Sequence, residues 1–375
     1  MTLNRRNYLP LQYLFIIYLA ILNCLGMTAQ PSKALKNLTD KVIANYVDVN
    51  ELNYGIAVGI IDGSDTYQYY YGKVSETNQQ APDSNSIFLL GSLSKVMTTS
   101  LMAAMVGEKV IDPSDSIIRF LPDSITRGNP FLSTLTLQKL ATHTALLPRT
   151  PYNLPTTLID LEDTYGNYQL TDLYKFLKTY RPTSGIFHKK SSKKLFVYSH
   201  TGIGLLAHLL ENASGLQYDV LIHRYLTPTL FTKPLTNTGV RLNTYQQLRL
   251  VPGHLFSGKI AYAPTFASMY GSEGVYSSLP DMLTFTQACM SQSVFAASLE
   301  PQFNTQMPDV KVGWAWYVIM NGKRQPVIYT HSGKTSGYSN YIAFEKEREV
   351  AVVILSNSDN RIDKIGIDLL DLLLR

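Results

Sequence analysis

The stretch Ile87-Phe88-Leu89-Leu90-Gly91-Ser92-Leu93-Ser94-Lys95 joins a short apolar run to residues 96–106, which contain neither glycine nor proline. This pattern predicts a helix that begins near Ser92. Residues three apart lie on one face of a helix, so we expect the Lys95 amine to reach the Ser92 hydroxyl. A hydroxyl needs a neighbouring base, and a lysine is such a base only when burial or a nearby cation lowers its pKa. The spacing S-x-x-K therefore indicates a nucleophile and its proton acceptor, provided that other segments complete a pocket.

Composition and charge indicate a globular protein and argue against nucleic acid as a partner. Of the 375 residues, 45% are apolar and 16% are charged, which is typical of folded chains. The formal net charge of +5 includes Arg5 and Arg6 and is too small to indicate binding to nucleic acid. No C-x-x-C pair and no histidine-rich spacing occurs, so we expect no metal site and no cofactor. The oligomeric state is left open.

Residues 1–30 have the layout of a secretory signal peptide. Arg5 and Arg6 precede the apolar run 13–22, and small and polar residues follow at 26–30. Ten apolar residues are short for a membrane span, so we expect cleavage and a periplasmic or secreted protein. Left uncleaved, the segment would associate with the inner membrane as an anchor. After cleavage Cys289 is the one remaining cysteine, which excludes an internal disulfide.

The rest of the chain, residues 31–375, predicts one α+β domain. Its order is helix and strands, then a helical middle, then strands and a closing helix. An antiparallel sheet built from both chain ends, with helices on its faces and a mostly helical or irregular insertion at about 112–270, accounts for this order. Residues 145–195 are expected to form a surface excursion or a lid. The predicted helices are 32–47, 92 onward, 136–142, 201–211, 216–225, 281–290 and 362–374, and the predicted strands are 55–61, 66–72, 312–320, 326–330, 338–344 and 349–355.

Two later segments offer partners for the serine and the lysine. Tyr198-Ser199-His200 precedes a predicted helix, and a phenol whose pKa is lowered by a lysine ammonium can shuttle a proton. A packed aromatic side chain is the alternative interpretation. The segment 331–337 (HSGKTSG) follows a strand expected to end at Thr330. Small residues on a strand edge would let a substrate backbone lie alongside, with an amide donating to an oxyanion; the alternative is a simple hairpin turn.

Taken together, S-L-S-K, Tyr-Ser-His and His-Ser-Gly resemble the serial motifs of the penicillin-recognising serine hydrolases, S-x-x-K, Y-x-N and K-T-G or H-T-G. This family includes class C β-lactamases, D-Ala-D-Ala carboxypeptidases and related esterases, and it has a β-lactamase/transpeptidase-like α/β sandwich fold. The resemblance covers about residues 32–375 and includes 271–283 (GSEGVYSSLPDML). The segment 140–149 (LATHTALLPR) is most similar to the periplasmic carboxypeptidase/endopeptidase branch.

The resemblance implies a role for each matching residue. Ser92 would be the acylated nucleophile, Lys95 its proton acceptor and Tyr198 an aid to proton transfer. The backbone amides of Ser92 and Lys334 would form the oxyanion hole. The residues expected to contact the substrate are His200, His331, Ser332 and Gly333.

Two of these positions depart from the family pattern. His200 stands where the family has an asparagine that orients the substrate amide and the lysine. His331 stands where β-lactamases have a lysine, and it would present a positive or hydrogen-bonding group to the substrate carboxylate. Both changes weaken the case for fast β-lactam turnover without removing the nucleophile.

The favoured function is a D-Ala-D-Ala carboxypeptidase/endopeptidase that acts on peptidoglycan peptides through an acyl-enzyme and also binds β-lactams. Three alternatives remain: a class C-like β-lactamase, a serine esterase, and a penicillin-binding protein without turnover. The expected partner is accordingly a peptidoglycan peptide or a β-lactam.

Overall fold

The computed structural model describes most of the chain after residue 32. Its described residues are 33–50, 54–155, 163, 165–182, 196–226, 234–262, 264–320 and 326–375. The expected signal peptide, residues 1–30, lies outside them. Within these ranges no helix combines the length and the apolar character that a membrane crossing requires. Cys289 is buried and has a free thiol.

The described chain forms an α+β structure. Its helices are α1 Lys33–Asn50, α2 Leu93–Gly107, α3 Asp123–Thr126, α4 Leu137–Ala141, α5 Leu170–Thr179, α6 His200–Ser214, α7 Tyr218–Tyr225, α8 Thr244–Gln247, α9 Tyr270–Glu273, α10 Leu279–Ser291, α11 Ala296–Leu299 and α12 Asp363–Leu373. Its strands are β1 Ile56–Asp62, β2 Asp65–Tyr71, β3 Ile87–Leu89, β4 Tyr276–Ser278, β5 Phe303–Asn304, β6 Val310–Val312, β7 Tyr317–Met320, β8 Val327–Thr335, β9 Tyr338–Glu345 and β10 Val350–Ser356.

The main sheet joins the two ends of the chain, as the sequence predicts. Its eight strands lie in the order β2-β1-β10-β9-β8-β7-β6-β5, and all neighbours are antiparallel. β1 pairs with β10 from Ile56 opposite Ser356 to Asp62 opposite Val350. β10 is an unbroken run of buried residues because both of its faces are covered by helices. Between α2 and α9, the described residues contribute no strand to this sheet.

Helices cover the two faces of the sheet. Alternate residues of a strand point to opposite faces, so Val58 and Ile60 of β1 pack towards α1 and α12, with Ile365 of α12 in the same cluster. Ala57 and Ile61 point to the other face and join the larger core that contains α2 and α10. The site described below lies between this larger core and strand β8 of the sheet.

The structure differs from the sequence-based prediction at two strands and adds a helix to a third region. The predicted strand 312–320 is two strands, because residues 313–316 leave the sheet and bury Trp314 and Trp316 in the core. The strand predicted to end at Thr330 continues to Thr335. Within the predicted excursion 145–195, α5 forms because its buried residues Leu173, Phe176 and Leu177 face the core. Residues 156–162, 164 and 183–195 of that excursion lie outside the described ranges.

Candidate active site

Ser92 and Lys95 meet at the start of α2, as their spacing predicts. Lys95 Nζ donates to Ser92 Oγ at 2.9 Å and to the carbonyl oxygen of Ser272 at 2.8 Å. Residues 93–105 of this helix are all buried, and the Lys95 side chain is fully enclosed. The helix therefore holds an amine inside the core, next to a hydroxyl that lines a cleft.

Burial makes Lys95 a usable base near neutral pH. Desolvation lowers its pKa to about 8, since the charged ammonium loses water; Glu273 opposes this change, and Arg149 supports it. A lysine with this pKa is mostly protonated at pH 7, with a fraction on the order of one tenth neutral. Only the neutral fraction can accept the proton of Ser92.

Tyr198 lies at the corner that leads into α6. The Ser199 hydroxyl accepts from the amide of Gly202 at 2.9 Å, which fixes the start of the helix. Lys95 Nζ lies 5.1 Å from the centre of the Tyr198 ring, and the Arg149 guanidinium lies 5.2 Å from it. The expected fall in the Tyr198 pKa is wrong: burial raises it, and a hydrogen bond with Ser92 opposes the rise only in part. Tyr198 is thus a neutral phenol that can donate a proton.

The segment from His331 to Thr335 is a strand edge and does not form a turn. β7 pairs with β8 only up to Thr330, so residues 331–335 pair with β9 alone among the described residues. A Cβ on Gly333 would stand 2.1 Å from the carbonyl oxygen of Leu90, so only glycine lets β8 approach the start of α2 this closely. The Lys334 nitrogen lies 3.1 Å from the place of a Gly91 Cβ, next to Ser92. This close approach brings the backbone amide of Lys334 near that of Ser92, and these two amides are the candidate oxyanion donors.

His331 and Ser332 differ from each other in what they present to the cleft. His331 Nδ1 lies 2.8 Å from the carbonyl oxygen of Ser332, and burial lowers the pKa of the ring to about 3. The ring is therefore neutral at pH 7, and of the two expected roles only the hydrogen-bonding one fits. The Ser332 hydroxyl donates to Asp363 of α12. Ser332 still lines the cleft, but its hydroxyl is already engaged.

His200 does not take up the position of a free substrate-binding side chain. It is the first residue of α6 and is buried, and its Nδ1 lies 2.8 Å from Glu273 Oε1. The two atoms are not aligned for a straight hydrogen bond, and the ring has no other polar partner among the described residues. Burial and the nearby Lys95 lower the His200 pKa to about 4, so the imidazole is neutral at pH 7.

Glu273 is the main residue that the sequence interpretation missed. It ends α9 and is buried, and its Oε1 accepts from Ser92 Oγ at 3.4 Å and lies 3.9 Å from Lys95 Nζ. Burial alone would raise its pKa, but His200 and Lys95 together hold it below the ordinary value. The carboxylate is therefore ionised at neutral pH. Its one signal in the sequence is a charged residue among the small residues of 271–274.

A cleft of about 720 Å³ opens onto these groups. Arg149 lies exposed at its mouth, and this residue too was given no role from the sequence. No cluster of potential metal ligands occurs in the described part of the chain. Residues that line the cleft include Ser92, Arg149, Phe196, Tyr198, Glu273, Tyr317, His331, Ser332, Gly333 and Lys334.

Comparison with known proteins agrees with this arrangement. The model of the family "Beta-lactamase" matches residues 40–374. The D-alanyl-D-alanine-carboxypeptidase/endopeptidase AmpH of Escherichia coli K12 is 25% identical over 323 residues, which covers 81% of this chain and 80% of that protein. A β-lactamase of Pseudomonas fluorescens is 22% identical over 340 residues and covers 81% of this chain and 88% of its own length.

Solved structures share the fold. A class C β-lactamase of Rhodobacter sphaeroides superposes with a TM-score of 0.74 at 23% identity and covers 90% of this chain and 100% of its own. A class C β-lactamase in complex with cefoxitin gives a TM-score of 0.75 at 19% identity, with 90% of this chain and 99% of its own covered. The match of the family model over nearly the whole described chain assigns the protein: it belongs to the β-lactamase family and is a serine hydrolase of that fold.

Proposed function

We propose that this protein is a serine D-Ala-D-Ala carboxypeptidase/endopeptidase, which cleaves peptidoglycan peptides through an acyl-enzyme at Ser92 and is acylated by β-lactams. The observation that carries the proposal is the open strand edge 331–335 beside the hydrogen-bonded pair of Ser92 and Lys95. An exposed strand edge accepts an extended peptide through backbone hydrogen bonds. The similarity to AmpH, whose name describes this activity, supports the same choice.

Acylation follows from the geometry of the site. Ser92 Oγ attacks the carbonyl carbon of the peptide bond that joins the last two D-alanines. Neutral Lys95, whose Nζ lies 2.9 Å from Oγ, takes the hydroxyl proton. The amides of Ser92 and Lys334 donate to the oxyanion that forms. The C–N bond then breaks, and the departing amine takes a proton from the Lys95 ammonium, directly or through the neutral phenol of Tyr198. The exposed guanidinium of Arg149 at the cleft mouth supplies a positive charge for the terminal carboxylate of the peptide.

The proposal includes a location in the cell envelope. Its support is the signal-like layout of residues 1–30, with Arg5 and Arg6 ahead of the apolar run 13–22. Such a location would give the enzyme access to peptidoglycan. N-terminal sequencing of the mature protein from an envelope fraction tests it, and an intact N-terminus in the cytosolic fraction contradicts it.

The central test follows the mass of the intact protein after treatment with benzylpenicillin. We expect one adduct, mapped to the peptide that contains Ser92, in the native protein and in the control Ser114→Ala, which changes an exposed serine. Ser92→Ala should show none. An adduct that persists on another residue of Ser92→Ala contradicts the nucleophile assignment.

Substrate assays then separate the candidate activities. D-Alanine release from a synthetic peptide ending in D-Ala-D-Ala, lost in Ser92→Ala, supports the peptidase. Rapid nitrocefin hydrolysis without D-alanine release identifies a β-lactamase instead, and turnover of p-nitrophenyl esters without a penicillin adduct identifies an esterase. A permanent adduct with no turnover of any of these substrates identifies a non-catalytic penicillin-binding protein.

A further inference from the structure

Glu273 and His200 form a buried pair that the acylation chemistry leaves unused. The carboxylate contacts both reacting groups of the site, Ser92 and Lys95, and the imidazole contacts the carboxylate. Both side chains are at most about one tenth exposed. Burying a charged group costs free energy unless it is paired. We therefore expect a buried, ionised carboxylate at this position either to stabilise the fold or to take part in the reaction.

The step that lacks an assigned base is hydrolysis of the acyl-enzyme. Water must attack the carbonyl carbon that is bonded to Ser92 Oγ, and a base must take its proton. Tyr198 is a neutral phenol, since burial raises its pKa, and Lys95 is mostly an ammonium at pH 7. Glu273 is an anion, and its Oε1 stands 3.4 Å from Ser92 Oγ, within reach of a water placed against the ester. It is therefore the acceptor best placed for this proton.

We propose that Glu273 is a catalytic residue that accepts the proton of the deacylating water, and that His200 is a positioning residue that holds its carboxylate against Ser92. This inference rests on the proposed function, because it requires an acyl-enzyme at Ser92. His200 stands where the family pattern has an asparagine. On this proposal the histidine and Glu273 act together, because His200 positions the Glu273 carboxylate.

The proposed step balances. The water oxygen forms a bond to the acyl carbon while its proton moves to Glu273 Oε1. Lys95 is left neutral by acylation and regains a proton from solvent at pH 7, since its pKa is about 8. The bond from the acyl carbon to Ser92 Oγ breaks, and Oγ takes a proton from this Lys95 ammonium at 2.9 Å. Glu273 returns its proton to Lys95, whose Nζ lies 3.9 Å away. The products are the free acid and the serine, with Lys95 and Glu273 restored to their starting charges.

The test measures formation and decay of the penicillin adduct separately, by intact mass over time. Glu273→Gln keeps the size of the side chain and removes the base. We expect Ser92 to be labelled in this variant and the adduct to last about 100-fold longer than in the native protein, the usual size of general-base catalysis. Glu108→Gln, which alters an exposed carboxylate outside the site, is the matched control and should decay at the native rate.

His200→Asn tests the positioning role. We expect the adduct to form readily and to decay about tenfold more slowly, because the Glu273 carboxylate loses the imidazole packed 2.8 Å from its Oε1 and is held less firmly against Ser92. A merely structural contribution would reduce formation and decay alike, so the selective effect on decay is the diagnostic measurement. Thermal unfolding of each variant reports whether the fold is kept.

The outcomes separate the two proposals. Native-like decay of the adduct in Glu273→Gln overturns the inference about Glu273. Loss of labelling in Glu273→Gln, with labelling kept in the native protein, also overturns it and assigns Glu273 to acylation. Absence of labelling in the native protein instead contradicts the proposed function itself.

Discussion

The active site has two walls that are built in different ways. The helix wall, Ser92 and Lys95, comes from one turn of α2, and its geometry is set by residue spacing. The carboxylate wall, His200 and Glu273, comes from the first residue of α6 and the last residue of α9, which are distant in the chain. On our proposals the helix wall controls formation of the acyl-enzyme and the carboxylate wall controls its decay. Local spacing thus encodes the nucleophile, whereas tertiary packing places the group that we assign to turnover.

The largest expected effect breaks the helix wall. Lys95→Met keeps an unbranched buried side chain and removes the amine, so the rate of penicillin acylation should fall about 1000-fold or more, within the range for loss of a general base. Rapid mixing with a fluorescent penicillin measures this rate. Lys175→Met, at an exposed lysine of α5, should acylate like the native protein. Acylation of Lys95→Met at a tenth of the native rate would assign the proton acceptor to another group, with Glu273 the nearest candidate.

The same contrast explains what the sequence could predict. The S-x-x-K spacing predicted the contact between Ser92 and Lys95, because side chains three residues apart on a helix lie next to each other on one face. The antiparallel sheet from both chain ends was predictable because its central strands, such as β10, are apolar runs. The gap between β6 and β7 at Trp314 could not be predicted, because the residues that leave the sheet there are as apolar as those that stay in it.

Glu273 could not be placed from sequence because its position depends on how α9 packs against α6. A Cβ on Gly271 would stand 2.3 Å from the Cβ of Ala207, so two small residues let these helices approach closely. Nothing local to Glu273 or His200 encodes that contact. The charge state of Tyr198 was also predicted wrongly, because the extent of its burial follows from the assembled cleft.

The next effect concerns the contact that completes the helix wall. Gly333→Ala would place a methyl group 2.1 Å from the Leu90 carbonyl oxygen, which forces β8 away from the start of α2. We expect about 2 kcal/mol less free energy of unfolding, typical of overpacking, measured by urea denaturation. Acylation should fall about 100-fold as the Lys334 amide moves from the oxyanion position. Gly202→Ala is the matched control, because its Cβ would meet no atom closer than 3.4 Å; equal losses in the two variants would contradict the argument.

A smaller effect is expected for the residue that lies between the walls. Tyr198→Phe keeps the ring that faces Lys95 and Arg149 and removes the proton donor. We expect D-alanine release from the peptide to slow about 30-fold, less than the roughly 100-fold of full acid catalysis, because Lys95 can also protonate the departing amine directly. Tyr317→Phe makes the same change on a cleft-lining ring that stacks on Tyr198, and its effect should be within a few fold. An equal loss in both variants would indicate a packing role for Tyr198.

The smallest expected effect links the two walls through the charge on Lys95. Because neutral Lys95 accepts the proton, acylation should rise with pH to a plateau above a midpoint near 8, and should fall about tenfold for each pH unit well below it. The Glu273 carboxylate favours the ammonium, so Glu273→Gln should move the midpoint to lower pH and raise relative acylation at pH 7. The rate of fluorescent penicillin labelling from pH 5 to 10 measures the profile. The titratable and charged groups that face Lys95 are Glu273, Arg149, Tyr198, His143, His200 and His331.

Of these groups, the three histidines are neutral at pH 7, since burial lowers each pKa, and they leave the midpoint to the carboxylate and the guanidinium. Arg149→Gln should also move the midpoint, but upward, because the Arg149 cation disfavours the ammonium. Opposite shifts in Glu273→Gln and Arg149→Gln would identify Lys95 as the titrating base. A midpoint that stays fixed in both variants would mean that the pH profile of acylation reports a group outside this cluster. That result would contradict the assignment of Lys95 as the base that controls formation of the acyl-enzyme.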